Sequence, residues 1–320
     1  RPNPPEPAEP GHVARLVTPD RRRPALGLLM TGRADGQDPA VRQFLGFARE
    51  HQLDLDAFFA VYADGPDAAR PIACALAVPG AGRTAMLFTN PLARHAEGRA
   101  LTAAARAAIG ALDPARVRLV QSLTDPPQQA ERAALREAGL SDLAELVYLQ
   151  RYVERGRSQL ELVEPGSGRP LKVVHWSESV RPTFERAILR SYEGTLDCPG
   201  LLGLRQIDDI IAGHRATGRF DAGLWSVYEF EGEPIAVLLL AHVPAREAYE
   251  LVYLGVVPAY RGRGLGAVLV RHALASVAAR GGGRLHLAVD AANRPAVKLY
   301  ERHGFRANAH KAAMIFALDD

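Results

Sequence analysis

Apolar positions in the second half of the chain fall into two rhythms. Leu224 to Phe230, Pro234 to Val243 and Tyr249 to Val257 are short runs of strand length, and the Glu231-Gly232-Glu233 step between the first two predicts a hairpin. From Gly264 to Arg280 the spacing changes: Leu265, Val268, Leu269, His272 and Val277 share one face of a helix, which Gly281, Gly282 and Gly283 stop. Upstream, Leu171 to Trp176 reads as a strand. Arg181 to Tyr192 and Leu204 to Thr217 read as helices, the second with Leu204, Ile207 and Ile211 at helical spacing. Downstream come a strand at Arg284 to Val289, a helix at Pro295 to His303 and a last strand near Ala312 to Leu318. The order predicts an α/β fold whose sheet is mixed but mostly antiparallel, because short links join the three central strands.

The first half repeats this plan. Phe58 to Tyr62 parallels Trp225 to Tyr228, and both end in Val-Tyr. Pro71-Ile72-Ala73 parallels Pro234-Ile235-Ala236, and apolar runs then end at Pro91 and at Pro258. The stretch His95 to Ala100 falls where Arg261 to Gly266 falls, and Val117 to Gln121 parallels Leu285 to Val289. AALREAGL, ending at Leu140, parallels KLYERHGF, ending at Phe305. Gly98 and Gly139 are 41 positions apart, Gly264 and Gly304 are 40 apart, and matches in order at near-constant spacing indicate an internal duplication. The expected layout is a flexible proline-rich tail over residues 1–11, a first domain over 12–154, a linker over 155–170 and a second domain over 171–320.

Composition adds little direction. Of 320 residues, 48% are hydrophobic and 23% charged, and the net charge is +3. The densest basic run is Arg21-Arg22-Arg23, which reads as a solvated loop, so no nucleic-acid partner is expected. No apolar run approaches membrane-spanning length and no secretory leader pattern opens the chain, so neither a membrane partner nor export is expected. Cys74 and Cys198 form no zinc pattern, and no metal is expected; a reduced, cytoplasmic setting fits. The duplication is compatible with a monomer or a homodimer.

The chemistry concentrates at Arg261-Gly262-Arg263-Gly264-Leu265-Gly266, a glycine turn between an apolar strand and an apolar helix. Main-chain N–H groups at a helix start are unpaired and partly positive, and glycines let a phosphate approach them. A P-loop is excluded, because GxxxxGK[ST] is absent. Gly262, Gly264 and Ala267 satisfy GxGxxA, and Asp290 ends the following strand, as a dinucleotide-binding turn requires. Against it, Pro258, Ala259 and Tyr260 separate strand from glycines, and the preceding strands look antiparallel.

Arg261, Gly264 and Gly266 match [Q/R]-x-x-G-x-[G/A], and Asn293, Ala296, Leu299, Tyr300, Gly304 and Phe305 match the later signature of the same family. On these residues the second half, Leu171 to Leu318, resembles the GNAT superfamily of N-acetyltransferases. The first half resembles that fold weakly, and the tandem organisation resembles that of mycothiol synthase, whose substrate is not carried over. The resemblance implies two tandem GNAT-like domains and acetyl-CoA as acyl donor. It places the phosphates on the main chain of Arg261, Gly262, Arg263, Gly264, Leu265, Gly266 and Ala267. It lays the pantetheine arm along Leu254, Gly255, Val256 and Val257, with Asn293 beside the arm.

Acetylation of an amine needs a proton acceptor, an oxyanion donor and an acid for the leaving thiolate. By the resemblance, Tyr300 is the acid and a main-chain N–H of the strand is the oxyanion donor. Glu250 stands eleven positions before Arg261 in a strand where an acid is out of place unless used, and family members carry their base there. Tyr192, Glu193, Asp197 and Trp225 are the expected acceptor-binding residues. In the first half His95 replaces the opening Gln or Arg, and Leu135 stands opposite Tyr300, so that half is expected not to catalyse. The expected activity is acetyl transfer from acetyl-CoA to a small-molecule primary amine by direct attack. An acyl-CoA-sensing protein and a nucleotide-dependent oxidoreductase are the alternatives.

Overall fold

The computed structural model describes residues 12–64, 68–93, 97–156 and 160–318. The expected tail, and His95 with its neighbour Ala96, lie outside the described residues. Contacts divide the chain into two compact units, Arg1–Asp142 with Ala313–Asp320, and Leu143–Ala312. The expected boundaries differ from these. A strand over Ser141–Val153 goes unread in the sequence pattern, and from Leu143 it belongs to the second unit, whereas the end of the chain belongs to the first.

The first unit contains β1 (Arg15–Leu16), α1 (Arg22–Thr31), α2 (Pro39–Glu50), β2 (Phe58–Tyr62), β3 (Pro71–Gly80), β4 (Thr84–Thr89), α3 (Gly98–Gly110), β5 (Leu119–Thr124) and α4 (Gln129–Glu137). β2, β3 and β4 pair antiparallel in sequence, and β4 pairs β5 in parallel over Thr84–Met86 only. Ala104, Ala105, Ala108 and Leu135 pack with Ala85 and Leu87 beneath this sheet, and Met314 from the chain end joins them.

The second unit takes β6 (Ser141–Val153) from Leu143 onward. It continues with β7 (Lys172–His175), α5 (Arg181–Tyr192), α6 (Ile207–Arg215), β8 (Trp225–Phe230), β9 (Glu233–Val243) and β10 (Ala248–Val256). Then follow α7 (Leu265–Ala279), β11 (Gly283–Asp290), α8 (Arg294–Arg302) and β12 (Arg306–Ala317), the last up to Ala312. Its strands run β6-β11-β10-β9-β8-β7. β7 to β10 pair antiparallel in sequence, and β10 pairs β11 in parallel at Ala248–Glu250 alone. The pairings of β8 to β11 are those of β2 to β5, down to a three-residue parallel contact, so the duplicated pattern in the sequence is a duplicated topology.

Local chemistry explains the elements. Glu231 and Gly232, at φ 52 and 85, form the two-residue loop of the predicted hairpin, since turns of this hand match strand twist. β9 is buried from Pro234 to Ala241, as a strand covered on both faces requires. Trp176, Phe184, Phe220 and Trp225 pack edge to face, with centroids 5.0–5.1 Å apart in the tightest pairs. Asn293 caps α8 by accepting from the Ala296 N–H, and Pro295 stands in its first turn. The antiparallel order of β8, β9 and β10 removes the dinucleotide-fold alternative, which needs helical crossovers there.

Candidate active site

β10 is the centre of the site. Its ladder with β9 runs on to Val256, but its ladder with β11 ends at Glu250. From Leu251 onward the N–H and C=O groups facing β11 have no strand partner, and the two strands splay. An irregularity between Leu251 and Tyr253 sits at the head of this opening. It leaves Tyr253 on the α5 side, where its hydroxyl lies 2.8 Å from the Ser191 hydroxyl. Gly255 follows on that face, and a Cβ there would meet Ser191 Oγ at 2.4 Å, so only glycine fits. Tyr249 points the other way and donates to the Arg280 carbonyl at the end of α7. Glu250 alternates with it and faces the same side as Tyr253.

The opening leads to the predicted turn. Gly262 and Gly264 adopt φ 73 and 87, and Gly264 caps α7 without a side-chain bond. Among the described residues nothing accepts from the N–H groups of Gly262, Arg263 and Gly264. A row of unsatisfied strand groups ending at unpaired helix-start donors suits an amide-bearing arm that ends in a diphosphate.

The two arginines of the turn differ in use. Arg261 donates to the carbonyls of Val256, Ser191 and Gly194, at 2.9, 2.8 and 2.9 Å. Its side chain clamps the turn to the ends of α5 and β10. Arg263 lies over the Tyr260 ring at 5.4 Å, within the field of Glu164. Hydrogen bonds from Ser167 and Gly166, together with Arg263, hold the Glu164 carboxyl below its usual range. Glu164 belongs to a small hairpin closed by a Val163–Pro170 bridge, and its neighbour Pro165 lies beside Gly264. Part of the expected linker thus flanks the turn.

Tyr300 sits on α8, buried against Phe305 with centroids 5.7 Å apart. Burial, then the nearby Asp197 charge, pushes its phenol far up, so it stays protonated and able to donate. Burial also raises Glu250, opposed by Arg246. Asp197 is solvent-exposed, yet enough protein surrounds its carboxylate to raise its pKa, against the Asp290 N–H bond and with the Asp290 charge. Its Oδ1 accepts from the Asp290 N–H at 2.8 Å, while the buried Asp290 carboxylate accepts from Cys198 N–H and Ala292 N–H. This exchange pins the α5–α6 loop to the end of β11. The Cys198 thiol is pushed up to about 12 by burial and the two aspartates, which makes it inert as a nucleophile at neutral pH.

Tyr192 meets Tyr253 edge to face, with ring centroids 5.4 Å apart. Glu193 is exposed at the end of α5. Trp225 is a correction: it is 1% exposed inside the aromatic cluster with Trp176 and Phe220 and reaches no cleft. The side chain of Leu265 is likewise core, so only its main chain is at the turn. Leu254, Val256, Val257 and Ala267 contribute main chain at the strand end and first helical turn, and Gly266 packs against Leu299. Asn293 Oδ1 is committed to its cap. The sequence reading assigns no part in acetyl transfer to Tyr253, Arg205, His214 or Asp290. The signal for Tyr253 was an aromatic three positions past Glu250 on the strand that leads to the glycine turn.

The described part of the first unit offers a contrast. Glu97 precedes α3 at φ −79 and its carboxylate accepts from Ala93 N–H, while Glu131 accepts from Leu92 N–H. Where β4 leaves β5, Ser122 Oγ donates to the Leu87 carbonyl at 2.9 Å. Carboxylates and a hydroxyl thus occupy positions that the second unit leaves open.

Residues 192–305 match the family model described as "Acetyltransferase (GNAT) family". A mycothiol acetyltransferase of Corynebacterium glutamicum is 39% identical over 79 residues, 25% of this chain and 27% of that protein. A streptothricin acetyltransferase of Streptomyces lavendulae is 48% identical over 50 residues, 16% of this chain and 26% of that protein. The alignments thus span about a quarter of the length of these relatives. A solved GCN5-related N-acetyltransferase from Sphaerobacter thermophilus superposes with a TM-score of 0.61 at 17% identity, covering 95% of both chains, a likeness of fold.

Proposed function

We propose, for a chain that belongs through residues 192–305 to the GNAT acetyltransferase family, that its Leu143–Ala312 unit moves an acetyl group from acetyl-CoA to a primary amine by direct attack. The first unit does not catalyse. The observation that carries this reading is the splay of β10 from β11, which ends at the left-handed glycines ahead of α7.

Acetyl-CoA supplies a thioester carbon to which the amine nitrogen bonds as the carbon–sulfur bond breaks, the nitrogen losing a proton and the sulfur leaving as a thiol. The main-chain groups of Leu251 to Val256 that face away from β9, the Val256 carbonyl held by Arg261 aside, hydrogen-bond an extended arm as an added strand does. The donors at Gly262 to Gly264 meet its diphosphate, and Arg263 adds charge there. Glu250 takes the amine proton, directly or through a water, because its raised pKa brings it nearer the working pH. Tyr300, kept neutral by burial, delivers a proton to the sulfur. Asp197 holds the ammonium of the incoming acceptor. The acceptor is a small molecule.

The test is release of free thiol from acetyl-CoA across a panel of primary amines, with the melting temperature followed against coenzyme A and NAD. Thiol release that needs both substrates, with stabilisation by coenzyme A alone, supports the reading. Stabilisation without turnover on any amine points to an acyl-CoA-sensing protein.

A further inference from the structure

Two buried polar atoms beside the acceptor loop have no partner among the described residues. Arg205, between α5 and α6, has a buried Nε without an acceptor, and among the described residues no carboxylate lies within ion-pair distance of its guanidinium. His214, on α6, stacks on Tyr253 with centroids 5.6 Å apart, and its Nε2 is buried and unpartnered. Burial, then Arg205, lowers His214 to about 4, so the ring is neutral at pH 7 and does not oppose a cation beside it. Buried donors without acceptors destabilise a free protein, and a ligand that brings the acceptors removes that cost.

The charges around this place have a definite order. Arg205 acts on Tyr192, Cys198 and His214. Asp197 acts on Tyr192, Tyr253, Cys198 and Tyr300. The opposite charges of Arg205 and Asp197 thus both reach Tyr192 and Cys198, and among the described residues the two side chains do not pair with each other. Two opposite charges held apart against the same aromatic side chain match a ligand that carries both signs.

Resting on the acetyl-transfer reading above, we infer that the acceptor is an amine bearing its own oxyanion, a carboxylate or phosphate a few bonds from the nitrogen. Arg205 and His214 hold the oxyanion and Asp197 holds the ammonium. The order places the nitrogen at the Tyr300 end, where the thioester lies, and the oxyanion away from it. A diamine or polycationic acceptor would set a second ammonium against Arg205, and such like-charge contact is how a site rejects a wrong partner. The neutral Nε2 of His214, carrying its proton, donates to the oxyanion beside the guanidinium.

The full-length chain is assayed for thiol release with glycine, β-alanine and 4-aminobutyrate, with their carboxamides, with 2-aminoethyl phosphate, and with 1,4-diaminobutane. The expected result is a kcat/KM at least about 100-fold higher for the best oxyanion-bearing amine than for its amide, because an unpaired buried group penalises the analogue that lacks its partner. The carboxylate and phosphate arms decide which oxyanion is used. Arg205→Gln brings that ratio to within about threefold of one, and His214→Phe lowers it partway. Retained stabilisation by coenzyme A shows that each variant is folded. Preference for the amide or the diamine in the unaltered protein overturns the inference. So does an equal loss on every acceptor in Arg205→Gln. If no amine releases thiol, the acetyl-transfer reading fails, and calorimetric titration of the same amines in the presence of coenzyme A still decides this one. Saturable binding lost in Arg205→Gln supports it, and no difference between amine and amide overturns it.

Discussion

Arg261 donates to the carbonyl of Gly194, 67 residues earlier, at 2.9 Å, and its other two bonds hold Ser191 and Val256. One side chain thus ties the glycine turn, the end of α5 and the end of β10. Arg261→Ala removes three charge-assisted bonds, for an expected loss of about 2–4 kcal/mol after hydration of the freed carbonyls. The melting temperature falls by about 5–10 °C. Coenzyme A binding weakens with it because the turn loses its anchor, not because a phosphate contact is lost. Arg261→Lys, which places one charge but not the fork, recovers little of either. Thermal melts with and without coenzyme A check both points.

Gly264 tests the turn itself. At φ 87 an alanine costs about 1–2 kcal/mol of backbone strain, while the nearest atoms, of Pro165, are 3.7 Å from the new Cβ. The effect therefore comes from the backbone conformation and not from a clash. Gly264→Ala is expected to lower the melting temperature by a few degrees and to reduce the stabilisation given by coenzyme A by more than that strain alone. Equal coenzyme A stabilisation in both proteins would separate this turn from the phosphates.

The duplicated order of elements was legible because it rests on periodicity, tripeptide matches and spacing, all local properties of the chain. The turn was legible for the same reason: left-handed residues such as Gly262 and Gly264 announce themselves as glycines. What stayed hidden depends on distant partners. β6 carries Glu145, Gln150 and Arg151 among its apolar residues and reads as no clear strand until β11 pairs with it along Asp290 to Gly283. Trp225 looks like a pocket wall because it stands next to a loop-like stretch, but two aromatics brought from elsewhere bury it. Arg205 and His214 are ordinary residues in sequence, and only the fold shows that Arg205 Nε and His214 Nε2 are buried without partners among the described residues.

Glu250 and Tyr300 make opposite demands on pH. A base works only when ionised, and burial holds Glu250 above the ordinary carboxylate range. The rate is therefore expected to fall as pH drops through a pKa higher than that of a free glutamate, and Glu250→Gln removes this acid limb. If the limb survives in that variant, the base lies elsewhere, and Asp197, also raised, is the group to change next. Tyr300 is pushed the other way from use as a base and remains a donor throughout the neutral range. Tyr300→Phe is expected to lower kcat by about 100-fold, as loss of a general acid does, with the KM for acetyl-CoA nearly unchanged. An equal rise in KM would mark the ring as packing alone.

The first unit makes the last prediction. Its α3 begins with the acidic Glu97 in place of a left-handed glycine, and Glu131 adds a second carboxylate near by. A diphosphate brought there meets like charge, so no acetyl-CoA is expected to bind to this unit. Gly98, which the sequence spacing sets against Gly264, is the first helical residue after Glu97; a Cβ on it meets nothing within 4 Å, and its φ is not left-handed. Gly98→Leu should therefore fold normally and block any ligand at that helix start. Thiol release is expected to stay within about twofold of the parent protein, since surface changes away from a site are worth about 0.5 kcal/mol or less. One equivalent of coenzyme A is expected to bind to both proteins in a calorimetric titration. Loss of activity in a folded Gly98→Leu chain, or a second equivalent bound by the parent alone, would make the first unit a working partner in the reaction.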